Sequence, residues 1–510
     1  MNIKQAKEEI QNTIRAYLTR DELGNYLIPT VRQRPVLLMG PPGVGKTQIM
    51  EQIAAETGVG LVAYTITHHT RQSAVGLPFI EKRTYGGEEY SVTEYTMSEI
   101  LASVYNLMEK TGLKEGILFL DEINCVSETL APMMLQFLQC KTFGNQALPQ
   151  GWIIVAAGNP PEYNKSVRDF DVVTLDRVKR MDVEADFSVW KEYARRKGLH
   201  GAVVSYLDIK KENFYHVETT VDGLQFATAR GWEDLSELIY AYEKLGLRVN
   251  RQVVEQYIQM PRIARDFTNY LELYYKYQRT YHVDDILRGQ WPGTTVLELR
   301  AAPFDERLSV LGLLLSRLSQ SAGETRRQDA LTGELHAALL TVRQRLSGGQ
   351  AAQAVLADLT AQRQTELRRA KDAGQLDKET RDTGLRVVNT LEEYRQRLQL
   401  GQIPDSGTMD ALREWFGGQV ERRKSTGEVA GAEFDNAFRF LEETFGDSQE
   451  LVLFVTEITA GYDTSWFVEN FGCDAYFRHN KELLFDDTRR QLSAKIAAAR
   501  NMGNGEAAET

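Results

Sequence analysis

An α/β half followed by an all-helical half is the fold class that this 510-residue sequence predicts, and three observations predict it. Short, nearly all-apolar runs alternate with longer amphipathic stretches over residues 1–186, the pattern of βα units that feed a parallel sheet. From Phe187 strand signals fade and apolar residues recur at helical spacing. Beyond Pro303 the composition turns to Ala, Gln, Leu, Glu and Arg, the vocabulary of solvated helices.

The expected strands are Val36–Met39, Leu61–Thr65, Ile117–Leu120, Trp152–Ala157 and a last one around Met181–Val183. They are nearly all apolar, as strands covered on both faces must be. In residues 187–290, Trp190, Tyr193 and Ala194 sit at i, i+3 and i+4, and Leu235, Leu238, Ile239 and Tyr242 repeat the spacing, so a small helical lid is expected. Residues 291–510 are expected to form a helical bundle or arm. Leu331, Leu335, Leu339, Val342 and Leu346 mark one helix, ended by Ser347-Gly348-Gly349. Val355, Leu356 and Leu359 start a second, and Val387, Val388 and Leu391 lie on a third.

Composition narrows the functional classes. Hydrophobic residues make up 42% and charged residues 26%, enough apolar material for real cores. No stretch approaches the ~20 continuous apolar residues of a membrane span. The N-terminal residues lack an apolar signal core, so a cytoplasmic protein is expected. Cys125, Cys140 and Cys473 are widely spaced and form no CxxC pair, which argues against a disulfide framework and a zinc site. The net charge of -11 opposes non-specific affinity for polyphosphate backbones.

Gly40-Pro41-Pro42-Gly43-Val44-Gly45-Lys46-Thr47 follows the first expected strand and precedes a helical pattern (Ile49, Ile53, Ala54). This is the phosphate-binding G-x-x-x-x-G-K-[ST] loop in its required setting. Its glycines let backbone N–H groups turn onto phosphates at a helix N-terminus. Gly40, Pro42, Gly43, Val44, Gly45, Lys46, Thr47 and Gln48 are the expected ATP contacts, with Lys46 on the β- and γ-phosphates and the Thr47 hydroxyl on Mg²⁺. The apolar strand Gly116–Leu120 runs into Asp121-Glu122. A carboxylate at the strand tip suits a hard cation, and its neighbour suits the role of general base, so Asp121 is assigned to Mg²⁺ and Glu122 to the attacking water. Asn159, at the tip of the next strand, is expected to orient that water. Arg177 and Arg180 offer guanidinium groups for the charge of a phosphoryl-transfer transition state, and Arg230 opens a lid helix within reach of the phosphates. The fold class is therefore a P-loop NTPase αβα core with a parallel sheet, then a helical lid and an all-α C-terminal region.

In their order, Gly40–Thr47, Leu120-Asp121-Glu122-Ile123-Asn124, Ala157-Gly158-Asn159-Pro160, Leu175-Asp176-Arg177 and Ala229-Arg230-Gly231-Trp232 resemble the MoxR branch of the AAA+ ATPases, in the group that also holds dynein-related modules. The resemblance covers roughly residues 20–260. It implies a hexameric ring with ATP between neighbouring subunits, Asn159 as sensor 1, Arg177 as the finger reaching a neighbour's site and Arg230 as sensor 2. Cys125 stands where the branch usually has Arg after Asp-Glu-Ile-Asn, and Val178 where it usually has Phe, which keeps Arg180 as the alternative finger. Two insertions also resemble this branch. Phe79–Val92 reads as a hairpin with Gly86-Gly87 at its tip, where relatives project a loop toward the ring axis, and Tyr85 is its candidate substrate contact. Lys141–Leu148 reads as a second hairpin.

The resemblance implies an ATPase that remodels or matures a partner protein, a von Willebrand factor A domain protein being the kind of partner the branch commonly has. The alternative is a nucleic-acid-dependent ring motor. It calls for a basic groove or an appended DNA-binding motif, and the sequence holds neither a zinc-finger spacing nor a long Lys/Arg run.

Overall fold

The computed structural model describes residues 1–481, apart from 69–73, 75, 144–145, 164–169 and 221–222. Its centre is a parallel sheet of five strands, β1 (Val36–Met39), β2 (Gly60–Thr65), β3 (Gly116–Asp121), β4 (Trp152–Gly158) and β5 (Lys179–Asp182). Their spatial order is β2-β3-β4-β1-β5. Each expected strand is present, Val36–Met39 with its ends as expected and the others with ends moved by at most two residues.

The all-apolar strands are explained by what covers them. Side chains alternate across a strand, so Leu118 and Leu120 of β3 enter one core while Ile117 and Phe119 enter the other. The first core takes Ile100, Leu101 and Val104 from the helix Glu99–Thr111, and Met134, Phe137 and Leu138 from Ala131–Cys140. The second takes Ala6, Ile10 and Ile14 from Ile3–Leu18, and Ile49, Met50 and Ile53 from Lys46–Thr57. Helices on both faces of a parallel sheet make the αβα sandwich that the sequence predicts. Register then sets the geography of the site. Met39 pairs with Gly158, and Leu120 with Ala156, so the loops after β1, β3 and β4 leave the same edge of the sheet.

The chain forms two compact units. The first joins Met1–Val189, Thr228–Arg230 and Ala338–Thr408. In it the helices Ala352–Asp372 and Lys378–Leu400 form a hairpin whose turn meets the outer strand β2. Leu61 N–H donates to Ala373 O at 3.2 Å, Gln375 Nε2 donates to Val59 O at 2.8 Å, and Lys110 pairs with Asp372 at 2.9 Å. An edge strand that would expose unpaired backbone is thus partly covered.

The second unit holds the described residues of Trp190–Ala227, Gly231–Ala337 and 409–481, which are mostly helical. Its core is aromatic: Trp232, Tyr206 and Phe267 lie within 5.2–5.7 Å of one another, and the Trp232 indole donates to Asn213 O and Phe214 O. Beside the expected helices, residues 187–290 also hold a hairpin that the sequence does not announce, His216–Thr220 with Gly223–Ala227. His216-Val217-Glu218-Thr219-Thr220 carries β-branched residues at alternate-strand spacing, a signal masked by the strong helical periodicity on both sides. The helix marked by Leu331–Leu346 begins far earlier than those residues suggest, at Phe304, and runs to Ser347. No helix among the described residues is long and apolar enough to cross a membrane.

Candidate functional site

The loop after β1 holds its shape through its glycines. Gly43 and Gly45 have φ of +77° and +94°, conformations that side chains other than glycine rarely adopt. Gly45 caps the helix Lys46–Thr57, whose first-turn N–H groups have no intrahelical acceptor and are available to an anion. Gly40 lies so close to β5 that a Cβ there would meet Val183 O at 2.7 Å. Val44 leans on the second core, while Pro42 and Gln48 are exposed at the mouth of the loop.

Lys46 is buried, and its ammonium uses three donors on protein oxygens: Gly40 O at 2.7 Å, Pro41 O at 2.9 Å and Asn159 Oδ1 at 2.8 Å. Burial pulls its pKa down to about 8, Asp121 and Glu122 hold it up, and the Arg230 charge presses it further down. Those influences place Asp121, Glu122 and Arg230 around the same ammonium. Arg230 is exposed, and its Cβ lies 3.4 Å from where a Cβ on Gly43 would stand.

Thr47 Oγ1 donates to Asp121 Oδ2 at 2.8 Å, so a hydroxyl and a carboxylate stand side by side at the base of the loop. Two oxygen ligands with room for phosphate and water fit Mg²⁺, which takes few protein ligands. Asp121 Oδ1 accepts from Glu122 N–H at 2.9 Å, and Glu122 itself has φ of +57°. A glutamate in the left-handed region is strained, and such strain concentrates at functional tips. Its Oε2 accepts from Thr67 Oγ1 at 2.9 Å, just beyond β2.

Asn159 is fixed from behind. Asn124 Nδ2 donates to Asn159 O at 2.8 Å, and Asn159 N–H donates back to Asn124 Oδ1 at 3.3 Å. Gly158 leaves the space for this clamp, since a Cβ there would lie 2.6 Å from Asn124 Oδ1. Thr67 and Asn124 are contacts that the sequence reading did not assign. Asn124 lies three residues beyond Asp121 with nothing local to give it a partner, and Thr67 is one of several hydroxyls that follow β2.

The structure thus gathers Gly40–Gln48, Asp121, Glu122, Asn159 and Arg230 at the C-terminal edge of the sheet. Arg177 and Arg180 lie elsewhere. Arg177 precedes β5, whose first residue Lys179 pairs with Val36, at the opposite edge of the sheet. It is exposed and donates to Gln139 Oε1. Arg180, within β5, pairs with Asp182 at 2.8 Å. The hairpin expected at Phe79–Val92 is present as Pro78–Tyr85 and Glu88–Tyr95, and the second as Thr142–Phe143 and Gln146–Ala147, with 144–145 outside the described residues.

Residues 35–178 match the family model of the AAA domain, dynein-related subfamily. No curated protein matches the chain. Among solved structures, a candidate ATPase from Cytophaga hutchinsonii is similar at 16% identity and a TM-score of 0.24, over 38% of this chain and 55% of that one. This chain therefore spans about half the length of that relative, and the likeness adds nothing to the site. The loop after β1, the paired acids after β3 and the asparagine after β4 meet at one edge of the sheet, and all three lie within residues 35–178, the stretch that is similar to the AAA domain of the dynein-related subfamily and has a P-loop NTPase-like core.

Proposed function

We propose that this ATPase works as a ring, of the MoxR kind and hexameric, that remodels a partner protein, with a von Willebrand factor A domain protein as the partner. The observation that carries the reading is the separation of the arginines. Arg230 stands with the phosphate loop, whereas Arg177 lies exposed at the opposite edge of the sheet, a placement that suits service to a neighbouring copy's phosphates in a ring.

The chemistry follows from the partners each group now has. ATP gives Lys46 phosphate oxygens in place of the carbonyls of Gly40 and Pro41, and the first-turn N–H groups close on the same phosphates. Thr47 and Asp121 would hold Mg²⁺, which neutralises phosphate charge when bound. Glu122 leaves Thr67 and takes a proton from the attacking water, and Asn159, held by Asn124, orients that water. Arg230 contacts the phosphates in the same chain, and a neighbouring subunit's Arg177 meets the charge of the transition state. The acidic surface, net charge -11, favours a protein client over nucleic acid.

Two measurements test this. Arg177→Ala is expected to keep ATP binding and to lose about 10³–10⁵ in turnover. Mixing it with Lys46→Ala subunits restores part of the rate, because some interfaces then pair an intact loop with an intact finger. Failure to complement, with a specific activity independent of protein concentration, contradicts the ring; loss of turnover in Arg180→Ala but not in Arg177→Ala moves the finger by three residues. Turnover should rise with a von Willebrand factor A domain protein and not with duplex DNA, and the reverse result rejects the client class.

A further inference from the structure

The hairpin Pro78–Tyr95 is built against the usual economy of strands. Isolated two-stranded hairpins are marginal in water and need a packed face, yet every residue of Pro78–Tyr85 is exposed, as is Glu88–Ser91 opposite. Ile80 is 76% exposed, Tyr85 52% and Tyr90 49%. Large apolar side chains carried out into solvent contribute no core and mark a recognition surface.

Pairing defines what each face offers. Tyr85 is opposite Glu88 and Arg83 opposite Tyr90, so Arg83, Tyr85, Glu88 and Tyr90 share one face next to the Gly86-Gly87 turn. The Tyr85 and Tyr90 rings lie 6.0 Å apart, and Tyr90 Oη donates to Glu88 Oε2 at 3.2 Å. The basic groups of the hairpin are already neutralised within it. Lys82 pairs with Glu89 at 3.1 Å, and Arg83 pairs with Glu81 and Glu94, both at 2.9 Å. Among the described residues, Glu88 has no such cation. Two tyrosine rings beside a carboxylate that lacks a counter-charge form a receptor for a positive side chain, since ring faces and carboxylate attract the same ligand.

We propose that this tip recognises Lys or Arg side chains on an extended segment of the client polypeptide, so that the ATPase engages its client through a basic stretch. The proposal rests on the reading of the chain as a protein remodeller and names the class of segment it takes hold of. Phosphate-rich ligands are disfavoured by the same carboxylates, which repel a polyphosphate backbone.

The test uses the full-length protein and three fluorescent probes: a Gly-Ser-Lys repeat peptide, a Gly-Ser-Glu peptide of equal length and a single-stranded thymidine oligonucleotide. Anisotropy should show the lysine peptide binding in preference to the other two, and more weakly as salt rises. Tyr85→Ala and Glu88→Gln should each weaken it about tenfold, while Tyr85→Phe keeps most of the affinity. Equal binding of the glutamate peptide or the oligonucleotide overturns the proposal, as does parent affinity in both variants. A folded fluorescent protein bearing either stretch separates this proposal from the functional reading beneath it. If ATP leaves the lysine-tagged protein folded although the lysine peptide binds at the hairpin, remodelling fails and the recognition site stands. If ATP unfolds both tagged proteins equally, remodelling stands and the recognition site falls.

Discussion

At the phosphate edge of the sheet, Lys46 places its ammonium on three protein oxygens, Thr47 bonds Asp121, Glu122 bonds Thr67, and Asn124 clamps Asn159 from behind. At the tip of the hairpin Pro78–Tyr95 the ion pairs of Lys82 and Arg83 run to carboxylates of the same hairpin, and the Tyr85 and Tyr90 rings face water, while its base is tied down where Gln146 Nε2 donates to Tyr95 O. The two regions lie in the same compact unit yet meet different demands. Reacting groups must be preorganised, because correct geometry is what lowers the barrier. A surface that receives another molecule must instead leave its contacts unmade until the partner arrives.

Stability gives the largest expected contrast. Phe119 is fully buried between β3 and the helices behind it, so Phe119→Ala should cost about 3–5 kcal/mol by denaturant unfolding. Tyr85→Ala should fall within about 0.5 kcal/mol of the parent, since the hairpin supports no core. Comparable losses at both positions would erase the distinction between the regions.

A smaller effect sharpens the account of the phosphate edge. Burial depresses the Lys46 pKa to about 8 in the nucleotide-free chain, and phosphate oxygens favour the charged form, so ATP raises it. Below about pH 8 the lysine is protonated with and without ATP, and this group makes affinity independent of pH. Above it the free protein loses the proton that the complex keeps, so affinity falls by at most about tenfold per pH unit and binding takes up a proton. Calorimetry near pH 8.5 in buffers of different ionisation enthalpy reads that uptake directly. Zero uptake would mean that Lys46 is already fully charged in the free chain.

Much of this was legible in the sequence because periodicity and motif agree there. All-apolar strands flanked by amphipathic helices imply a sheet covered on both faces, and Gly40–Thr47 is informative since so few residue types fit such a loop. The hairpin around Gly86-Gly87 was readable for the same reason: both glycines take positive φ, as the tight turn demands. Contacts between distant segments were not. Nothing local tells that Ala373 and Gln375 reach the backbone of β2, or that Thr67 holds Glu122, for these are products of packing. The hairpin His216–Ala227 was lost to the helical periodicity around it.

The most direct measurement is ATP turnover and ATP retention by Glu122→Gln, whose side chain keeps the size of the glutamate and loses its basicity. Lys46, Thr47 and Asp121 are untouched, so the variant should hold radiolabelled ATP as tightly as the parent. Without the general base its hydrolysis should fall by about 10²–10⁴. Tight ATP with slow turnover is the result the account predicts; hydrolysis at the parent rate would contradict it.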